Sequence, residues 1–409
     1  SLLAPVAAQA SDVVNLDEMS SYARSKSKSS RLDSKTFINE VSEDIAILKG
    51  RVDGLEVQQN EFEAGGFSDT TTLDQKAVFA LMGTDHSEVK TDGTDSLSAA
   101  YQYTMNLNTS FTGDDNLYVR LRTGNSAGNF VTKDFGTYLT MGTGNGDVLM
   151  VDKIWYTFPV GESNTVWIGP KIENYYMHGT TPSIYKPVLK AFTLGGNAAA
   201  YGASTSPGAG WAYSADNGFA VSSNFTTQKG NTNTGILGDD GKTSWATQVG
   251  FTKPQYSVSA ILNQKYNGWT DSYFKTDDGS ARPGDGNSTN IGLRGWWRPE
   301  ETGTAMPSVS VGYDTSETDA TGNSNTTAYF VGLNWQDMFS PDDRIGLAVG
   351  QPQKHEDDTV DPFLYELYYE YKVNDSVTVT PTVFGGTSKD ASNNEVDMSG
   401  VLVNTTFKF

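Results

Sequence analysis

The residues that could carry out a reaction are few and scattered. The chain has no Cys and only three His, at positions 86, 178 and 355. Disulfides, thiol chemistry and cysteine metal sites are therefore excluded. The three His have no metal-ligand spacing such as HxxxH, and no GxSxG or phosphate-cradling Gly-rich loop precedes a helical pattern; these are the patterns that place nucleophiles, metal ligands or nucleotides. The expectation is a protein that is not an enzyme and has no cofactor or resident metal. Acidic pairs at Asp239-Asp240, Asp277-Asp278, Asp342-Asp343 and Asp357-Asp358 sit in turn-like segments, where carboxylates commonly cap backbone amides. They could hold divalent cations, but no EF-hand spacing accompanies them.

A second set of charges has a regular spacing. Tyr118, Arg120 and Arg122 alternate with Leu117, Val119 and Leu121, and Arg294 and Arg298 stand opposite Leu293 and Trp297. Glu366 and Glu370 alternate with Tyr365, Leu367 and Tyr369. Such period-two patterns belong to strands with two unlike faces. If the strands close a membrane barrel, the charges must point inward, because a basic side chain on the lipid face costs about 2–4 kcal/mol at mid-bilayer. The pore-lining candidates are then Arg120, Arg122, Lys153, Arg294, Arg298, Glu366 and Glu370. Opposed basic and acidic wall patches orient water and passing ions without tight binding. On a soluble sheet the same residues would be ordinary surface charges.

The elements that would position these charges are short alternating stretches separated by Asp/Asn/Gly/Ser/Thr clusters from residue 70 onward. We count sixteen: 75–82, 97–107, 116–122, 149–158, 164–172, 209–214, 218–227, 244–252, 256–266, 290–298, 307–315, 327–336, 343–350, 362–373, 377–387 and 401–409. The spacing predicts an all-β transmembrane barrel of about 16 antiparallel strands over 70–409. The last stretch carries Val401, Val403, Thr405, Phe407 and Phe409 on one face, with Asn404 and Lys408 on the other. It would close the barrel against the first strand, near residues 73–81. The segment 173–208 is too long for a turn and lacks alternation, so it is expected to fold into the lumen, with a short helix within 182–194. Its constriction candidates are Glu173, His178, Lys186 and Lys190. An exposed loop is the plainer alternative.

Ahead of the barrel the period changes. Ile38, Val41, Ile45, Leu48, Val52, Leu55, Gln59 and Phe62 follow an unbroken 3-4 spacing. This predicts a parallel coiled coil over 37–64, with Asp44/Lys49 and Arg51/Glu56 as opposite-sign g/e pairs. One such helix cannot bury its own stripe, so it implies oligomerisation. Its β-branched a positions with Leu at d lean toward a dimer, while the single polar Gln59 leaves the order open. Residues 11–36 read as a linker whose Arg24, Lys26, Lys28, Arg31 and Lys35 could touch an anionic cell-wall polymer. Residues 1–10 end in Ala8-Gln9-Ala10, like the remnant of a secretory signal peptide.

Composition agrees. Mean hydropathy is -0.44, yet a barrel gives lipid only alternate residues and so escapes hydropathy averages. A net charge of -20 argues against nucleic acid as a partner.

The run 48–56, Leu-Lys-Gly-Arg-Val-Asp-Gly-Leu-Glu, then Phe67-Ser-Asp-Thr-Thr-Thr-Leu73, the aromatic last strand and the Leu2-Leu-Ala-Pro-Val-Ala-Ala leader together resemble the cyanobacterial outer-membrane porins. These are often labelled iron uptake porins and are related to carbohydrate-selective porins. The resemblance implies a homotrimeric channel, joined through barrel walls and coiled coil, in outer-membrane lipid and lipopolysaccharide with its N-terminal region in the periplasm. It implies passage of ions, iron among them. Such porins usually carry a surface-layer-homology domain before the coiled coil, and residues 12–36 are too short for one. The leading expectation is a passive channel for inorganic ions and small polar solutes. The alternatives are a structural protein tethering the membrane to the wall, and a secreted soluble β protein that binds polysaccharide.

Overall fold

The computed structural model describes residues 49, 70–86, 97–131, 137–196, 200–202, 204–269, 286–319, 325–356, 358–389 and 395–409. The chain divides into Ser1–Gly66 and Phe67–Phe409, and the second unit is the barrel. Its first eight strands are β1 (Thr71–His86), β2 (Ser98–Thr109), β3 (Asn116–Gly124), β4 (Met150–Val160), β5 (Asn164–Ile172), β6 (Ser206–Ser214), β7 (Phe219–Gln228) and β8 (Lys242–Lys253). The other eight are β9 (Tyr256–Lys265), β10 (Ser288–Trp297), β11 (Ser308–Thr318), β12 (Thr326–Gln336), β13 (Arg344–His355), β14 (Phe363–Lys372), β15 (Val377–Lys389) and β16 (Glu395–Lys408). Each pairs antiparallel with its neighbour in sequence, and β16 pairs with β1 to close the ring. Closure is what lets strands live in lipid, since no edge is left with unpaired backbone groups.

The seam runs from Lys76 opposite Lys408 to His86 opposite Met398. Beyond Lys408, Gln75 and Phe409 exchange backbone hydrogen bonds of 2.9 and 3.1 Å. The aromatic chain end is thus held at the rim by the first strand. Adjacent residues on β16 tell the two faces apart: Val401 is 59% exposed and Leu402 is 1% exposed. Phe79, Leu81, Val258, Leu293, Val311 and Leu367 share the outward, exposed set with Val401. An apolar skin of this extent suits lipid and would be an aggregation site in water.

The connections differ at the two ends. Those at the end holding the start of β1 and the end of β16 include 161–163, 215–218, 254–255 and 373–376, whereas 125–149 and 173–205 lie at the other end. Two carboxylates organise short-end connections. Asp343 accepts the amides of Met338, Phe339 and Ser340 and the Tyr369 hydroxyl at 2.8–3.0 Å. Burial alone would raise its pKa, but the donated hydrogen bonds, that of Phe339 foremost, outweigh it and hold the carboxyl below the usual range. Asp115 accepts from Tyr156, Ser110, Phe111 and Thr112 and is held low chiefly by the Tyr156 hydroxyl. The Asp342-Asp343 pair is thus divided: Asp343 caps the turn, and Asp342 pairs with Lys372 at 2.7 Å. Among the described residues no group of three or more His, Asp or Glu could hold a metal ion.

Two expectations need restating. The helix expected within 182–194 is only a 3-10 turn, Lys190–Phe192, because Pro182 and Pro187 interrupt it. The coiled-coil positions Ile38, Val41, Ile45, Leu48, Val52, Leu55, Gln59 and Phe62, with the linker and leader, lie outside the described residues.

Candidate channel lumen

Inward-facing side chains follow from the pleat: even-numbered residues on β1 to β3, β10 to β12 and β14 to β16, odd-numbered ones on β9. A β-bulge in β4, where the β3–β4 register shifts between Arg120 and Leu121, changes this alternation. It places Asp152 and Lys153, neighbours in sequence, both toward the lumen. Strict alternation would have put one of them in lipid.

Two connections fold into the lumen and meet there. Leu139 of 125–149 bridges Leu189 of 173–205, and Lys190 donates its amide to the Tyr138 carbonyl at 2.7 Å. Tyr185, Val188, Leu189 and Phe192, with Phe130, Leu139 and Met141, rest on an apolar bed from the wall. That bed includes Val78, Ala80, Met82, Phe330, Leu364, Phe384 and Leu402. Phe330 is central, 5.5 Å from the Tyr185 ring and 5.6 Å from Phe192.

Polar wall residues pin the 173–205 segment along its length. Asn174 bonds Asn224, Ser244 and Thr226, and Gln248 makes two bonds to the Thr180 backbone. Trp296 donates to the Thr181 carbonyl at 3.0 Å. At Gly195 and Gly196 the backbone has positive φ and lies against Gly312 and Phe330, where added side-chain carbons would collide. Glycine is required there by contact as well as conformation.

The candidate residues fall into three groups. Glu366 and Arg294 point inward but hold the loop. Glu366 is buried and accepts the Tyr185 hydroxyl at 2.8 Å and the Val188 and Leu189 amides at 3.1 and 2.6 Å. Arg294 is buried too; it bonds both oxygens of Asp314 at 2.9 Å and donates Nε to the Leu194 carbonyl at 2.8 Å. The structure corrects the expectation that these two face passing solutes, since the loop covers them. Lys153 is also buried, paired with Glu173 and lying 5.0 Å from the Tyr176 ring centroid.

Arg120, Arg122 and Glu370 form the second group, partly accessible from the lumen. Arg120 and Arg122 share Asp152, the latter at 2.9 Å. Glu370 lies 3.4 Å from Arg344. A cavity of about 330 Å³, lined also by Met150, Tyr138 and Thr143, reaches the Arg122–Asp152 pair.

The third group departs from expectation. Arg298 lies just past the end of β10, exposed, with Nε on the Pro254 carbonyl at 2.6 Å. It belongs to the rim because its strand has ended before its turn to face inward. His178 is desolvated, which pushes its imidazole down to about 3, and it abuts Asn224 and Tyr201. Its ring is uncharged near neutral pH. Lys186 is exposed within the lumen while its amide bonds Asn334 at 3.3 Å. Lys190 is half-buried beside Tyr138.

Residue reading missed Asp152, hidden by the bulge, and the inward fold of 125–149, which no periodicity signals. It also missed a ladder of rings: Tyr118, Trp155, Tyr176 and Tyr175 follow one another at 4.3, 4.7 and 4.5 Å between centroids. Arg120 reaches the Tyr176 hydroxyl at 3.4 Å.

Comparison with known proteins places this architecture. The sequence matches the carbohydrate-selective porin, OprB family over residues 32–409. It is 27% identical over 430 residues to the uncharacterized protein alr4550 of Nostoc sp. (strain PCC 7120 / SAG 25.82 / UTEX 2576), covering 90% of this chain and 71% of that one. The barrel is similar to the high-pH structure of Pseudomonas putida OprB, with a TM-score of 0.60 at 13% identity, over 86% of this chain and 96% of that one. It is also similar to in-vitro folded OmpT of Vibrio cholerae in its trimer form, with a TM-score of 0.51 at 13% identity, over 83% and 100% of the two chains. At such identities the structures speak for the fold alone.

Proposed function

The chain belongs to the carbohydrate-selective porin, OprB family, as a porin-like outer-membrane channel, and from that premise we propose that it passes small polar solutes, sugars among them, by passive diffusion. The observation that carries the proposal is the division of the lumen. Loops seal one reach of the inner wall, and beside them a strip with Arg120, Arg122, Asp152 and Glu370 stays partly accessible. A narrowed, wet strip of paired charges holds water and hydroxyl groups without trapping them. The three tyrosines of the ring ladder, Tyr118, Tyr176 and Tyr175, packed around the buried Trp155, add half-buried aromatic surface, which suits the apolar faces of a pyranose. Constriction by 173–205 belongs to this proposal, with Glu173 and Lys153 at its start and Lys186 exposed at its middle.

Inorganic ions would pass the same strip. No feature of the described residues singles out iron. A homotrimer is proposed by analogy with the trimer form of OmpT, with the 37–64 heptads as a further contact. We place the short connections, and with them the start of β1, toward the periplasm, as outer-membrane barrels generally do.

The test is single-channel recording of the purified protein in planar bilayers, with swelling of liposomes in monosaccharides and in longer oligosaccharides. The expected result is discrete conductance steps and swelling that falls away with oligosaccharide length. Folded barrels, recognised by heat-modifiable gel mobility, that neither conduct nor swell would sink the reading.

A further inference from the structure

The wet strip has a sign. Paired rungs of the sheet carry it around the wall: Lys408 lies directly opposite Lys76, Lys76 opposite Thr104, and Thr104 opposite Arg122. Arg120 follows one inward step along β3. On the other side of the seam Lys186 has Arg344, Glu370 and Lys408 as its charged neighbours. Lys408, Arg120 and Arg122, all of one sign, are near enough to Lys76 to act on it electrostatically.

The carboxylates do not balance this belt. Asp152 is shared by two arginines, and Glu370 lies 3.4 Å from Arg344. Asp74 stands one inward step nearer the rim, within 3.4 Å of the Asn108 amide. No ion pair is formed by Lys76, Lys186 or Lys408 among the described residues. Two like charges directly opposite each other on a sheet destabilise the pairing. Here they sit on the seam that closes the barrel, in a chain whose net charge is -20. Composition alone would put acids there.

We propose that this belt makes the channel anion-selective and that its preferred solutes are small anions bearing carboxylate or phosphate groups, free or carried on a sugar. An incoming anion supplies the charge the lysines lack, and the low-dielectric wall strengthens the attraction. The number of donors favours passage over capture: Lys ammonium groups are mobile point charges, not the rigid fork that holds an oxyanion tightly. The inference rests on the channel reading and adds the sign of its field.

The experiment is the zero-current potential of the full-length protein in a planar bilayer under a KCl gradient. Chloride is expected to be favoured over potassium by about tenfold. The double variant Lys76→Gln/Lys408→Gln should bring that ratio most of the way to unity, and Asp152→Asn should raise it; heat-modifiable mobility confirms that each variant is folded. Inorganic phosphate and glucose 6-phosphate are then compared with glucose as inhibitors of chloride current. Inhibition by the first alone assigns free oxyanions, inhibition by both assigns phosphorylated sugars as well, and inhibition by neither overturns the solute class. A conducting channel without anion preference, or one whose preference survives the double lysine variant, overturns the proposal and leaves the channel reading standing. A folded barrel that conducts nothing overturns both.

Discussion

Strand β1 presents two unlike reaches on one inward face. Lys76 is half-buried in the wet strip, and Val78, Ala80 and Met82 directly above it are buried under the loops. Strand β16 repeats the contrast, with Lys408 exposed and Leu402 and Met398 covered. Strand pairing is continuous through both reaches, so the backbone does not distinguish them. What differs is the covering. The dry reach is a hydrophobic core built between wall and loop; the wet reach is a wall facing water. The interior of a barrel is therefore not one environment, and an inward residue must be judged by what folds over it.

The contrast can be attacked from its strongest contact downward. Phe330→Ala removes the ring on which Tyr185 and Phe192 rest, and an expected loss of about 3–5 kcal/mol should appear as a lower urea midpoint for the folded gel band. Conductance should rise in the same variant as the loop loosens. Next, Gly312→Val pushes a side chain into the Gly195 carbonyl. About 1–3 kcal/mol of overpacking should lift the loop, and larger single-channel steps would register it; unchanged steps would show that the loop does not narrow the path.

Acid probes the rim. The carboxyl of Asp343 is held below its ordinary range when folded. Its contribution is present above the unfolded value of about 3.9 and is lost as pH falls through the lower folded value. Folded-band stability should thus lose its Asp343 contribution only below about pH 4, and Asp343→Asn should flatten that dependence. The smallest stability effect belongs to the wet reach. Lys76→Gln should change stability by no more than about 0.5 kcal/mol while altering permeation, the reverse of the balance at Phe330.

Much of this architecture was legible in the residues. The alternation of Phe363, Tyr365 and Leu367 against Leu364 and Glu366 defines a strand whatever lies around it, because the pleat has a fixed period of two. Sixteen such patterns with turn residues between them, and a last strand in need of a partner, already imply closure. The observed pairing of β16 with β1 realises it. Inward direction was legible too, since Arg120, Arg122, Arg294 and Glu366 do face the interior.

What these inward charges do was decided by tertiary structure. Arg294 and Glu366 look like pore charges in sequence, and each is instead bound to the 173–205 backbone. Asp152 looks like a lipid-facing error and is brought inward by a bulge. Lys76 and Lys408 are separated by nearly the whole barrel sequence, yet closure sets them on one rung. Outside a bulge, local period fixes which way a side chain points, because there it depends only on the backbone of its own strand. Partners, burial and net field depend on residues brought together from distant strands and loops, and the closed, loop-filled barrel alone assembles those.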